Sequence, residues 1–147
     1  MNSKAVFPCQ RLRSWTELEP AVQRGLRAVS SAHHRLIEDP ARYACSVDLD
    51  GALHEAEPNA PRWDYILARR DRTSVGMEVH PAKASEVALI IAKKEWAQAK
   101  VSVHCQLRID RWYWVRPAGS PLQFTLLSPK ARLLAQSRIH FPVSRLP

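Results

Sequence analysis

Residues 61–98 hold the longest run of mutually consistent signals in the chain, and they leave few folds open. Arg62-Trp63-Asp64-Tyr65-Ile66-Leu67-Ala68-Arg69 is aromatic and aliphatic and reads as a strand. Arg70-Asp71-Arg72-Thr73-Ser74 reads as a polar turn, and Val75-Gly76-Met77-Glu78-Val79-His80 as a second strand. Pro81 suits a first helical position, where its missing N–H costs nothing. Residues 82–98 contain no Gly or Pro, and Val87 to Ala92 make that helix apolar on most of its circumference. Such a helix packs against a sheet.

The register of the two strands carries the chemistry. An antiparallel hairpin centred near Asp71 pairs residues whose numbers sum to about 142, so Asp64 faces Glu78, with Cβ atoms roughly 5 Å apart. Two carboxylates there repel one another, and a divalent cation between them turns the repulsion into a binding site. A slip of one residue, or one carboxylate turned to solvent, separates them instead.

A strand bearing Asp, a hairpin, a strand bearing Glu-x-Lys and a helix on the sheet make up the core of the PD-(D/E)XK nuclease superfamily. Residues 61–98 resemble that core, with Asp64 and Glu78-Val79-His80 at the motif positions and His80 standing where the family has Lys. The resemblance implies an αβββαβ-type, restriction-endonuclease-like core. It also implies Mg²⁺ or Mn²⁺ held by Asp64, Glu78 and the Val79 carbonyl, which would polarise a phosphodiester and activate water. His80 is neutral near pH 7 unless perturbed, so it is a base or a metal ligand rather than a fixed positive charge. Lys83, three residues on, is the nearest ammonium in sequence to stabilise the transition state. On a helix that starts at Pro81, Lys93 and Lys94 lie roughly 15 Å further along and are poorer candidates.

Charge points the same way. The net charge is +8, and the basic residues are sixteen Arg against six Lys, a bias that suits bidentate phosphate binding. From residue 111 to the end there are six basic residues and no acid. Arg111, Arg116, Lys130, Arg132 and Arg138 are the candidate nucleic-acid contacts in this region. Three widely spaced cysteines form neither a CxxC pair nor a disulfide framework, which predicts free thiols and a cytoplasmic location. No run is apolar enough to span a membrane, and residues 1–15 are not a secretory signal.

The remaining segments complete an α+β chain, an α/β sandwich with a central mixed sheet flanked by helices, in a single domain over residues 1–147. Residues 1–15 read as a loose N-terminal arm. A helix opens at Glu19-Pro20, with Val22, Leu26, Val29, His33 and Leu36 as its apolar stripe and His33 in a structural role. Residues 42–47 read as a first strand, ending at an Asp48-x-Asp50-Gly51 turn. Residues 106–115 and 122–127 read as two further strands, with Trp112 and Trp114 in the core. Ser128-Pro129 caps a last helix over 130–138. The functional readings are a metal-dependent nuclease acting on DNA, a nuclease-like nucleic-acid-binding or regulatory module without activity, and a protein-interaction domain with a basic face. Glycine-rich phosphate loops, serine-hydrolase elbows and zinc spacings are absent from the sequence.

Overall fold

Alternation along each strand creates two apolar sets, and the chain has to cover both. In the computed structural model, which describes residues 7–147, six strands form one sheet in chain order. They are β1 (Gln23–Arg24), β2 (Tyr43–Asp48), β3 (Tyr65–Arg69), β4 (Ser74–Val79), β5 (Arg111–Val115) and β6 (Ile139–Val143). Strands β1 to β4 pair antiparallel, whereas β4–β5 and β5–β6 pair parallel. A parallel join needs a crossover, and helices supply both. Helix α3 (Val87–Cys105) links β4 to β5, and α4 (Pro129–Gln136) links β5 to β6; α1 (Pro8–Arg13) and α2 (Leu49–Leu53) are short. The architecture is the expected α+β one, a mixed open sheet with helices.

One face of the sheet presents Val47, Ile66, Ala68, Trp112, Trp114 and Ile139 to α1, α3 and α4. The other presents Tyr43, Tyr65, Leu67, Val75, Met77, Tyr113 and Val115 to Val29, Leu36 and Leu146. Helix α3 buries Val87, Ile90, Ala97, Val101 and Cys105, a stripe at spacings of three, four and seven. Gly76 is needed where β4 passes under Trp112. A Cβ there would run into the Trp112 ring and come within 3.1 Å of Trp63 Nε1, and the two indoles already meet edge to face at 4.9 Å.

Several local expectations are corrected. Residues 19–36 form no long helix. They make a 3₁₀ turn (Glu19–Ala21), strand β1 and a second 3₁₀ segment (Ser31–Leu36), with Gly25 at φ +55° between them. Their apolar stripe serves two faces, since Val22 joins the α3-side core while Val29 and Leu36 join the opposite one. One straight helix cannot reach both. His33 is structural, its Nδ1 lying 2.9 Å from the Tyr65 hydroxyl. The Asp48-Leu49-Asp50-Gly51 turn is instead the start of α2, with Asp48 Oδ1 accepting the Gly51 N–H as an N-cap.

Pro81 does not begin a helix. The chain stays irregular until the 3₁₀ turn Ala84–Glu86, and α3 runs seven residues past the predicted end at 98, closing at Gln106 with φ +49°. Residues 122–127 form no strand beyond a single bridge from Leu122 to Ala82, and the sixth strand follows the last helix, at β6. Ser128 does cap α4, its hydroxyl accepting the Ala131 N–H. Residues 1–6 of the expected arm lie outside the described residues. Residues 7–15 are no loose arm, because Leu12 and Trp15 are buried and Cys9 is tied to the sheet.

That tie corrects the cysteine reading. Cys9 on α1 and Cys45 on β2 form a disulfide across a Cα separation of 6.1 Å, leaving Cys105 as the free, buried thiol. Spacing along the chain is blind to a pairing made by tertiary packing. Among the described residues no helix is long and apolar enough to cross a membrane.

Two outcomes follow. Gly76→Ala should destabilise the protein by ~2–3 kcal/mol through overpacking, read as a lower denaturation midpoint with an unchanged slope. A thiol assay in denaturant without reductant should find one reactive cysteine rather than three.

Candidate active site

Observed pairs across the central hairpin are Tyr65–Met77, Ile66–Gly76, Leu67–Val75 and Ala68–Ser74, the register expected from the sequence. One step further from the turn, Asp64 and Glu78 come together. Asp64 shares its strand face with Ile66 and Ala68, and Glu78 shares its own with Gly76, so both carboxylates lie on the side that α3 covers.

Each carboxylate is fixed by the other strand. Asp64 Oδ2 accepts the Val79 N–H at 3.0 Å, and Glu78 Oε1 accepts the Asp64 N–H at 3.0 Å. The Lys93 ammonium, on the second turn of α3, donates to Glu78 Oε2. His80 bridges two acids, with Nδ1 3.7 Å from Glu78 Oε2 and Nε2 2.7 Å from Glu86 Oε1. The indole N–H of Trp114 holds the His80 carbonyl at 2.8 Å. The result is a partly dry cluster of three acids, one Lys and one His at the end of β4.

Burial dominates its electrostatics. The Glu78 side chain is 1% exposed, and desolvation, with the Asp64 charge second, raises its pKa to about 8 against the opposing pull of Lys93. Asp64 is raised as well, mainly by burial and against the Val79 hydrogen bond and Lys93. Two acids that resist ionising together take up a proton near neutral pH, or a cation in its place.

The oxygens present are hard donors, although Glu78 Oε2 is engaged by the Lys93 ammonium. Among the described residues no three His, Cys, Asp or Glu side chains converge as a metal-binding group. A cation here would rest on Asp64, Glu78, the Val79 carbonyl and water, and few protein ligands with retained water is the usual manner of Mg²⁺. Carboxylate oxygens that already accept one N–H keep a further lone pair for it. Asp50 is committed elsewhere, to Arg62 Nε at 2.8 Å, and Asp48 caps α2.

The structure redistributes the other candidates. Lys83 is exposed and makes no ion pair among the described residues; the ammonium at Glu78 is that of Lys93. Sequence reasoning displaced Lys93 because it began the helix at Pro81. With α3 starting at Val87, Lys93 lies only about 9 Å along the axis, over the strand end. Glu86 was also missed, although an acid just ahead of an apolar helical run is a recognisable start signal. Arg111 and Arg138 lie together at the opposite end of β5. Arg116 is half-buried and donates to the Ser120 carbonyl at 3.2 Å, bracing the turn after β5, and Lys130 and Arg132 are exposed on α4.

Comparison with known proteins is silent: no family model, no curated protein and no solved structure matches the chain.

The raised Glu78 pKa sets a pH dependence of stability. Because the folded value exceeds the ordinary 4.5, the folded state holds the proton more tightly, so stability is fully present below about pH 4.5 and is lost as pH rises through about 8. Glu78→Gln should therefore gain on the wild type as pH rises from 5 to 9, by up to about 1.4 kcal/mol per pH unit within that window. Denaturation midpoints of the two proteins at several pH values check this, and parallel curves would contradict it.

Proposed function

We propose that the chain is a metal-dependent nuclease of PD-(D/E)XK type, hydrolysing phosphodiesters in DNA. The observation that carries the reading is the carboxylate pair Asp64–Glu78 held across one hairpin, with a lysine ammonium against Glu78. Connectivity supports it too. With the two-residue β1 and the short α2 set aside, helix α1, strands β2, β3 and β4, crossover helix α3 and parallel β5 run in the αβββαβ order that the sequence resemblance implies. Asp64, Glu78 and the Val79 carbonyl would hold Mg²⁺ or Mn²⁺, which supplies a Lewis acid for the phosphate and lowers the pKa of water.

The chain's own residues take the other roles. Lys93, released from Glu78, places a positive charge beside the scissile phosphate and stabilises the charge that develops there. It thereby fills, from α3, the role of the lysine that His80 replaces on the strand. Glu86 orients the His80 ring, which can accept a proton from water or pass one to the leaving oxygen. The Arg-rich C-terminal region supplies phosphate contacts, whereas the cytoplasmic location expected from free thiols loses its basis with the Cys9–Cys45 disulfide.

The Lys93–Glu78 pair favours one alternative. Should it persist in the presence of metal, it would neutralise the site, and the chain would be a nucleic-acid-binding module on a nuclease-like scaffold.

Cleavage of plasmid and single-stranded DNA with Mg²⁺ and with Mn²⁺ tests the proposal. Wild type should cut, Glu78→Gln should not, and Lys93→Ala should lose about a hundredfold or more, whereas Lys83→Ala stays near wild type. Metal alone should also raise the melting temperature of wild type, more at pH 8.5 than at pH 6, and leave Glu78→Gln unmoved. A wild type that binds DNA but cuts with neither metal, and shows no metal-dependent melting shift, would establish the module instead.

A further inference from the structure

Adjacent lysines on α3 face different ways. Lys93 turns to Glu78, while Lys94 lies over the indole of Trp112, 5.8 Å from a ring centroid, and lines a cleft of about 440 Å³. Arg108 and Arg138 line the same cleft, and Arg138 is shared with an adjoining hollow of about 270 Å³ that Arg111 completes. Four cations thus surround a single acid, Asp110. Its Oδ2 is already engaged by the Ser74 N–H at 2.8 Å and the Ser74 hydroxyl at 3.3 Å. Among the described residues none of the four cations forms a salt bridge. Uncompensated positive charge around a concavity is costly to the fold and favourable only to an anion.

Two local features show the cost being borne. Lys94 is half-buried and falls by helical spacing in line with the buried stripe of α3, between Ile90 and Ala97. Its ammonium is pushed below the ordinary lysine range, chiefly by burial, with Arg138 and Arg108 adding to this against Glu95. Arg138 adopts φ +59° just past α4, a position that Gly or Asn fills most easily.

We propose that the cleft formed by Lys94, Arg108, Arg111 and Arg138 binds backbone phosphates of a nucleic acid, as a contact separate from the carboxylate site. Ser74, beside the cleft, and Glu78 stand four residues apart on β4, about 13 Å at the strand rise, so the two sites lie toward opposite ends of the sheet. Trp112 is 3% exposed and lies beneath Lys94, so the cleft offers charge and hydrogen bonds rather than a stacking platform. Recognition there is of phosphate, independent of base sequence. The inference rests on the nucleic-acid reading above but not on catalysis.

The test is the binding of fluorescently labelled duplex and single-stranded DNA, measured in chelator so that no metal-dependent cleavage intervenes, across a salt series. Wild type should bind with a steep log–log salt dependence. Arg108→Ala combined with Arg138→Asn, which keeps a residue tolerant of the left-handed backbone, should weaken binding roughly tenfold or more and flatten the slope by about one per lost phosphate contact. Lys94→Met, which retains the stem over Trp112, should flatten it by a similar step. Melting curves confirm that each variant is folded. Wild-type binding left unchanged by both sets of substitutions overturns the cleft alone. No DNA binding by wild type overturns the cleft and the nucleic-acid reading together. Binding to anionic vesicles but not to DNA reassigns the cleft to a lipid headgroup and overturns it as well.

Discussion

Two carboxylates brought together beneath a helix are the constraint around which the rest of this protein is arranged. Asp64 and Glu78 meet because the β3–β4 turn sets one register, and that register puts Ile66, Ala68 and Gly76 on the same face, under α3. A slip of either strand by one residue would carry its acid to the other face, away from its partner, and bring Tyr65 and Leu67 or Val75 and Met77 under α3. Apolar packing on both sides therefore holds an electrostatically unfavourable pair in place. Reciprocal main-chain hydrogen bonds and the Lys93 ammonium compensate part of the repulsion.

The sheet also separates two electrostatic regions. Acids gather at the C-terminal end of β4, and uncompensated cations gather toward the N-terminal end of β5, with the Trp63–Trp112 pair and Gly76 between them. Helix α3 spans both, and Lys93 and Lys94 are its points of contact with each. A fold that buries one acid pair and crowds four cations gives up stability at both ends.

Legibility in the sequence followed the range of the interaction. The hairpin, its register and the α4 cap were readable because each depends on neighbours a few residues apart. The structural role of His33 and the burial of Trp112 and Trp114 were readable from apolar patterning. Less legible was the start of α3. Pro81 is compatible with a helix, but the bridge from Ala82 to Leu122 keeps the chain extended there, and that partner is forty residues away. The same displacement hid Lys93. The stripe over residues 22–36 had helical spacing without a helix, since its members are buried on opposite faces of the sheet.

What the sequence determined by itself was the central hairpin, the mixed α+β class and the excess of Arg. Local propensity, turn chemistry and composition suffice for these. Tertiary structure alone decided which lysine reaches Glu78, that Cys9 bonds Cys45, that Arg111 and Arg138 share a cleft, and that β6 joins the sheet. Each of these depends on segments distant in the chain being brought within a few ångströms. That proximity comes from burying both faces of the sheet, a property of the assembled core that no local window of residues contains.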